Sequence, residues 1–300
     1  MSTDGRPDDG LERMASALQQ SGRFEVLRRF EPPTRYAPPD GARLGLALAV
    51  DVETTGLDHE RDRIIQLSAV PFEYALRTGR IYGVGAPLTY FEDPGVPIPD
   101  HITHLTGIDD DAVRGQRIDD EAVTRLARQA RLVIAHNAAF DRAFLERRLP
   151  VFRAKPWACS LTEVPWPAGT AKLEFLMYKQ CGLFFGAHRA ESDCQALIHL
   201  LATPFETGEL PMKLLLDSAR RQTLRIWATG APFIKKDLLK ERRYQWFPGD
   251  DNRAKGWYRD LPEADGPAEM DWLKANVYAG QEPTWEIETI GAERRFSSAR

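Results

Sequence analysis

Residues 44–53, LGLALAVDVE, form a nearly unbroken apolar run that closes on two carboxylates. An extended segment that is apolar on both sides needs cover on both faces, which is the position of a central strand in a sheet flanked by helices. Asp51 and Glu53 stand two residues apart, so both side chains leave the same face at the C-terminal end of that strand. Ligands of open α/β sheets bind beyond this edge. Two adjacent carboxylates raise each other's pKa unless a cation lies between them. Alone, Asp-x-Glu is an ordinary solvated strand end. Its sequel, Thr54-Thr55-Gly56-Leu57, supplies a tight turn whose backbone can approach a ligand closely.

The rest of the chain reads as three pieces. Residues 1–44 form an N-terminal extension: LERMASALQQ has helical spacing, RFEVLRRF alternates like a strand, and EPPTRYAPPDG is a proline-rich connector. From 45 to 205 strands precede helices. RIIQLSAVPFEYAL and GRIYGVGAPLTYFE are expected as strands, HITHLTGIDDDAV as a loop whose Asp109–Asp111 open a helix, and DDEAVTRLARQA as a helix. RLVIA follows as a strand, then AAFDRAFLERRL, KLEFLMYKQCGL (ended by Gly182) and ESDCQALIHLLA as helices. Strands whose helices return to the sheet give an α/β domain. TPFETGELP marks a linker over 206–217, and 218–300 reads as a small α+β domain: strand LRIWAT, helix IKKDLLKERR, hairpin YQWFPGDDNRAKGWYRDL, helix AEMDWLKANVY, strand TWEIETI.

Two further acids and one histidine complete a pattern with Asp51 and Glu53. Asp141, in HNAAFD, shares a helix face with Phe144 and Leu145, so packing of those two on the sheet turns the carboxylate inward, where it needs a partner. Asp193, in HRAESD, stands in the same relation to Leu197, Leu200 and Leu201. Either acid alone is as well explained by the helix dipole. His188, five residues before Asp193 in a glycine-containing loop, is a candidate general base near neutral pH. Four hard oxygen ligands and one imidazole are what metal-dependent phosphodiester hydrolysis requires.

DVETTGL, HNAAFD and HRAESD, in this order and spacing, resemble the three motifs of the DEDDh (DnaQ-like) 3'–5' exonuclease superfamily. IIQLSAV and LTGIDDDAV resemble its second strand and the loop between motifs, so the likeness covers about 45–205. The resemblance implies a ribonuclease-H-like α/β fold with a mixed central sheet. It implies two divalent cations per site, Mg²⁺ or Mn²⁺, held by Asp51, Glu53, Asp193 and, partly through water, Asp141, with His188 as general base. Thr54, Leu57, Asn137 and Phe140 would contact the terminal nucleotide. Arg189 stands where a tyrosine branch of the superfamily carries Tyr, which supports the histidine branch, and Gln66 departs from an acid found in many relatives. The implied activity releases nucleoside 5'-monophosphates from 3' ends, with single-stranded DNA favoured over RNA as partner. A proofreading or adaptor subunit whose tail binds a replication or repair protein is the alternative, as is an RNA exonuclease.

Composition narrows the surroundings. No apolar run approaches the ~20 residues of a membrane span, the first ten residues lack a secretion-signal layout, and Cys159, Cys181 and Cys194 show no CxxC spacing. A cytoplasmic protein with buried thiols is the expectation. The net charge of -4 argues against a surface coated in nucleic acid, yet residues 213–260 carry twelve Lys/Arg against six Asp/Glu. Five of the seven tryptophans fall beyond residue 217. Trp246, Phe247, Trp257 and Tyr258 could stack bases, but core packing of a small domain is the favoured reading for most of them.

Overall fold

The computed structural model of the chain describes residues 9–167, 169–249, 253–279 and 282–297. Helix α1 (Asp9–Gln20) opens it, followed by the two-residue strand β1 (Arg28–Arg29). The long strand β2 (Leu44–Thr54) is the apolar run, and β3 (Ile64–Ala75), β4 (Ile81–Val84) and β5 (Leu88–Phe91) come after it. Helices α2 (Asp100–Thr106), α3 (Asp110–Val113) and α4 (Asp120–Gln129) lead to β6 (Leu132–Ala135) and α5 (Ala138–Arg148). Then follow β7 (Trp157–Cys159), α6 (Ser160–Glu163), α7 (Leu173–Leu176), β8 (Leu183–Phe184), α8 (Ala190–Ala202) and α9 (Pro211–Arg220).

The central sheet has the order β4-β3-β2-β6-β7, with β5 also on β3. β2 runs antiparallel to β3 and parallel to β6, and β6 parallel to β7, so the sheet is mixed. Alternation along β2 explains the two layers of helices. Ala47 and Ala49 pack with Leu197 and Leu201 of α8 and Leu215 of α9, whereas Leu48, Val50 and Val52 pack with Val123 of α4 and Leu145 of α5. This is the ribonuclease-H-like α/β architecture expected. Pairing sets Asp51 opposite Ser68 and Glu53 opposite Gln66.

A second, antiparallel sheet of order β10-β11-β9-β12 is built from β9 (Thr223–Ala228), β10 (Gln245–Phe247), β11 (Gly256–Pro262) and β12 (Glu286–Ile290), with α10 (Lys236–Glu241) and α11 (Gly266–Asn276) between the strands. The α+β reading of this unit holds. Its aromatics are mostly core: Trp227, Phe247 and Tyr258 are buried together, while Trp246 remains 49% exposed.

Several boundaries move for identifiable reasons. The segment 80–92 divides at Gly85-Ala86-Pro87 into β4 and β5, because proline cannot donate to the ladder. HITHLT is a helix, not a loop, closed by Gly107 at φ 71. KLEFLMYKQC makes one α turn and then a π turn over Met177–Cys181 before Gly182 (φ 65) stops it. The linker expected over 206–217 is too long: from Pro211 it is already α9, with proline in the first turn and Met212, Leu215, Leu216 and Ala219 buried on the sheet. The N-terminal extension is not detached either. β1 pairs in parallel with β8, Phe30 is buried, and the Tyr36 hydroxyl meets His199 Nδ1 at 3.2 Å.

Candidate active site

β2 delivers Asp51 and Glu53 to the C-terminal end of the sheet, and α8 brings Asp193 to meet them. One carboxylate oxygen from each lies within 4.8 Å of the other two. Asp141, the fourth expected ligand, sits beside this trio rather than in it. It is only 3% exposed, and its Oδ1 accepts the Val52 N–H at 3.1 Å, between the two β2 acids. Phe144 and Leu145 are buried on the same side of α5, which is why the carboxylate turns inward.

The electrostatics are those of an acid cluster without a counter-ion. Burial pushes the Glu53 carboxyl up to about 8, with Asp193 and Asp141 adding repulsion. Burial likewise raises Asp193 and Asp141 to about 7, against the N–H groups that favour their charged forms. Asp51 goes up too, through burial first and then repulsion from Asp141, Asp193 and Glu53. Among the described residues no Lys, Arg or His is ion-paired with any of the four. Three convergent hard oxygens with uncompensated charge suit a divalent cation.

The loop before α8 is held through its backbone. Asp193 Oδ2 accepts the Arg189 N–H at 2.9 Å, and the His188 N–H also favours the Asp193 carboxylate. His188 is exposed and adopts φ 60, a left-handed conformation uncommon for a residue with a side chain. Its backbone thus faces Asp193 while its imidazole stays on the surface. Gln66, buried on β3, accepts the Ala190 N–H at 3.0 Å and ties the start of α8 to the central sheet.

The turn after β2 is braced by an acid that sequence reading passed over. Asp62 accepts from the Thr55 hydroxyl (3.1 Å) and the Asp58 N–H (2.8 Å). A Cβ on Gly56 would lie 2.5 Å from Asp62 Oδ2, so the glycine answers crowding. Thr54 is buried and its hydroxyl donates to the Gly56 carbonyl at 2.6 Å, while Leu57 is 85% exposed at the tip. Asn137 is exposed just before α5, and Phe140 packs on Phe144 with ring centres 5.0 Å apart.

Other residues near the site gave no isolated signal. His136 is held between Ser160 Oγ (2.7 Å) and the Ala171 carbonyl (2.5 Å), and burial lowers its pKa, so it orders a neighbouring loop as a neutral ring. Glu174, at the start of α7, adds repulsion to Asp193. Only the fold brings Glu174 near the acids.

Comparison with known proteins places the site in a family. The exonuclease family model (RNase_T) matches residues 48–201. A DNA polymerase III PolC-type protein of Clostridium perfringens is 32% identical over 168 residues, covering 52% of this chain and 11% of that protein. The DNA polymerase III subunit epsilon of Treponema pallidum is 29% identical over 168 residues, covering 52% of this chain and 74% of the subunit. The chain therefore spans only about a tenth of the PolC-type protein. Among solved structures, Exonuclease X with 5' overhanging duplex DNA aligns at 23% identity and TM-score 0.38, over 57% of this chain and 90% of that one. E. coli Exonuclease I with a dA16 oligonucleotide aligns at 13% identity and TM-score 0.47, over 77% and 71%.

Proposed function

The chain belongs to the exonuclease family, and from that membership we propose that it is a metal-dependent 3'–5' exonuclease of the DEDDh type, acting on single-stranded DNA ends. The observation that carries the reading is the convergence of Asp51, Glu53 and Asp193 within 4.8 Å, with no cationic side chain ion-paired to them among the described residues. These three carboxylates would hold the cations, and Asp141, its Oδ1 engaged by the Val52 N–H, would support them. Bound Mg²⁺ or Mn²⁺ supplies Lewis-acid stabilisation of the oxygens in the phosphoryl displacement.

His188 takes the proton of the attacking water as its oxygen bonds to phosphorus. The bond from phosphorus to the 3'-oxygen breaks and that oxygen takes a proton from solvent, leaving a shortened strand with a 3'-hydroxyl and a free nucleoside 5'-monophosphate. The surface position of the imidazole allows it to swing over the acids when a strand arrives, since catalytic contacts often tighten only in the complex. Leu57, exposed at the turn tip, wedges against the terminal base, and Asn137, Phe140 and the Thr54 turn flank the nucleotide. DNA is favoured because the matched relatives are DNA polymerase III proteins.

The test compares wild type with Asp51→Asn and His188→Ala on a DNA oligomer and an RNA oligomer of one sequence, in Mg²⁺. The expected outcome is faster loss of the DNA, a fall of about 10²–10⁴-fold for His188→Ala, and no turnover for Asp51→Asn. Wild-type rates in both variants would refute the assignment.

A further inference from the structure

A cleft of about 1070 Å³ lies outside the acid cluster, between the α/β block and the second sheet. One wall is the outer side of the site's own scaffold. His59 follows the Thr54–Leu57 turn, and Ala139 and Ala143 lie on α5, the helix that carries Phe140 and Asp141. The His59 ring stands edge-on to Phe144, 6.4 Å between centres, which joins that turn to α5. The opposite wall comes from β9, β12 and the end of α9.

Five arginines line this cleft against three carboxylates, in a chain whose net charge is -4. Four of the five are already positioned by acids: Arg225 by Asp260 (2.6 Å), Arg253 by Glu286 (2.8 Å), Arg294 by Glu288 (2.6 Å) and Arg295 by Glu163 (2.5 Å). Arg225 and Arg253 also stack on the Trp227 ring, at 5.8 and 4.2 Å from its centre. Arg295 is spent on the protein, its terminal nitrogens donating to Glu163, Thr223 and the carbonyls of Ser218 and Arg221. Arg225 and Arg294, held by single acids through part of their planar guanidinium groups, can turn their other terminal N–H groups to phosphate at little entropic cost. The fifth, Arg221, is exposed and in no ion pair among the described residues. At about 1070 Å³ the cleft lies at the upper end of the ~300–1,000 Å³ usual for ligand clefts, with room for more than one nucleotide.

We propose that this arginine-lined cleft binds the phosphodiester backbone of the single strand on the 5' side of the nucleotide being removed, with Arg221 as its free phosphate contact. The proposal rests on the exonuclease reading and adds a strand-holding site at a distance from the acids. An acidic reaction centre repels its polyanionic substrate, and a separate basic track holds it there.

The test is fluorescence anisotropy with 5'-labelled thymidylate 3-mers and 12-mers and a uridylate 12-mer, on the Asp51→Asn chain with and without Arg221→Glu. The expected result is a 12-mer affinity at least ten-fold lower in Arg221→Glu, a salt slope shallower by about 1, recovery in Arg221→Lys, and a smaller change for the 3-mer. A track for the sugar-phosphate backbone moves both 12-mers alike. Unchanged 12-mer affinity and salt slope in Arg221→Glu, with wild type still shortening the 12-mer in Mg²⁺, overturns the cleft and leaves the nuclease reading standing. Wild type that shortens no strand overturns both.

Discussion

Asp51→Asn is expected to stabilise the metal-free chain while abolishing its response to metal. Burial and mutual repulsion raise the carboxyls, Glu53 to about 8 and Asp193 to about 7, so the folded state binds these protons more tightly than the unfolded one. That contribution is complete below the ordinary carboxyl range and is lost as pH rises through 7 to 8. In EDTA at pH 8 the variant should therefore melt a few degrees higher, about 1 kcal/mol, and Mn²⁺ should raise the Tm of wild type alone. A variant that melts lower in EDTA and still gains from Mn²⁺ would contradict the cluster's electrostatics. Asp51, Glu53 and Asp193 were legible because strand and helix periodicity fixes their faces within a few residues. The tasks of Gln66 and His136 were not, since each acts through a backbone partner contributed by another segment, the Ala190 N–H and the Ala171 carbonyl.

At the level of elements, α5 does two tasks. One side points Asp141 at β2, and the other buries Arg142 against Glu146 at 2.6 Å, with both side chains nearly inaccessible. Arg142 also donates to the carbonyls of Glu293 (2.5 Å) and Arg295 (2.6 Å), while the Ala292 carbonyl accepts the Trp157 N–H of edge strand β7 at 2.9 Å. Residues 291–297 thus strap the second unit to the first, and Phe296 packs with the core that contains Phe144. Arg142→Ala leaves Glu146 buried without its cation and should cost about 3–5 kcal/mol in urea unfolding; a loss below 1 kcal/mol would mean the strap is not held there. The elements of the second unit could be read from their own periodicity. The strap could not, because its backbone is satisfied by a side chain 150 residues earlier. Helix α9 was hidden differently: the Pro/Gly-rich string before it drew the linker past Pro211.

For the whole molecule, helices on both faces of the sheet were implied by the unbroken apolar run of β2 and the mixed sheet by the family resemblance, and the family match over 48–201 agrees with them. What could not be read was how the flanking pieces close on that block. β1 reaches β8, four residues before His188, and the second sheet faces α5 across the arginine-lined cleft. No helix of the described residues is long and apolar enough to cross a membrane. The proposed function is that of a protein that shortens a strand from one end only. Following a single-stranded DNA labelled at its 5' end, in Mg²⁺ and in EDTA, tests this most directly. The account expects a ladder of labelled strands shrinking one nucleotide at a time in Mg²⁺ and intact strand in EDTA; labelled mononucleotide as the first product, or equal cutting in EDTA, would contradict it.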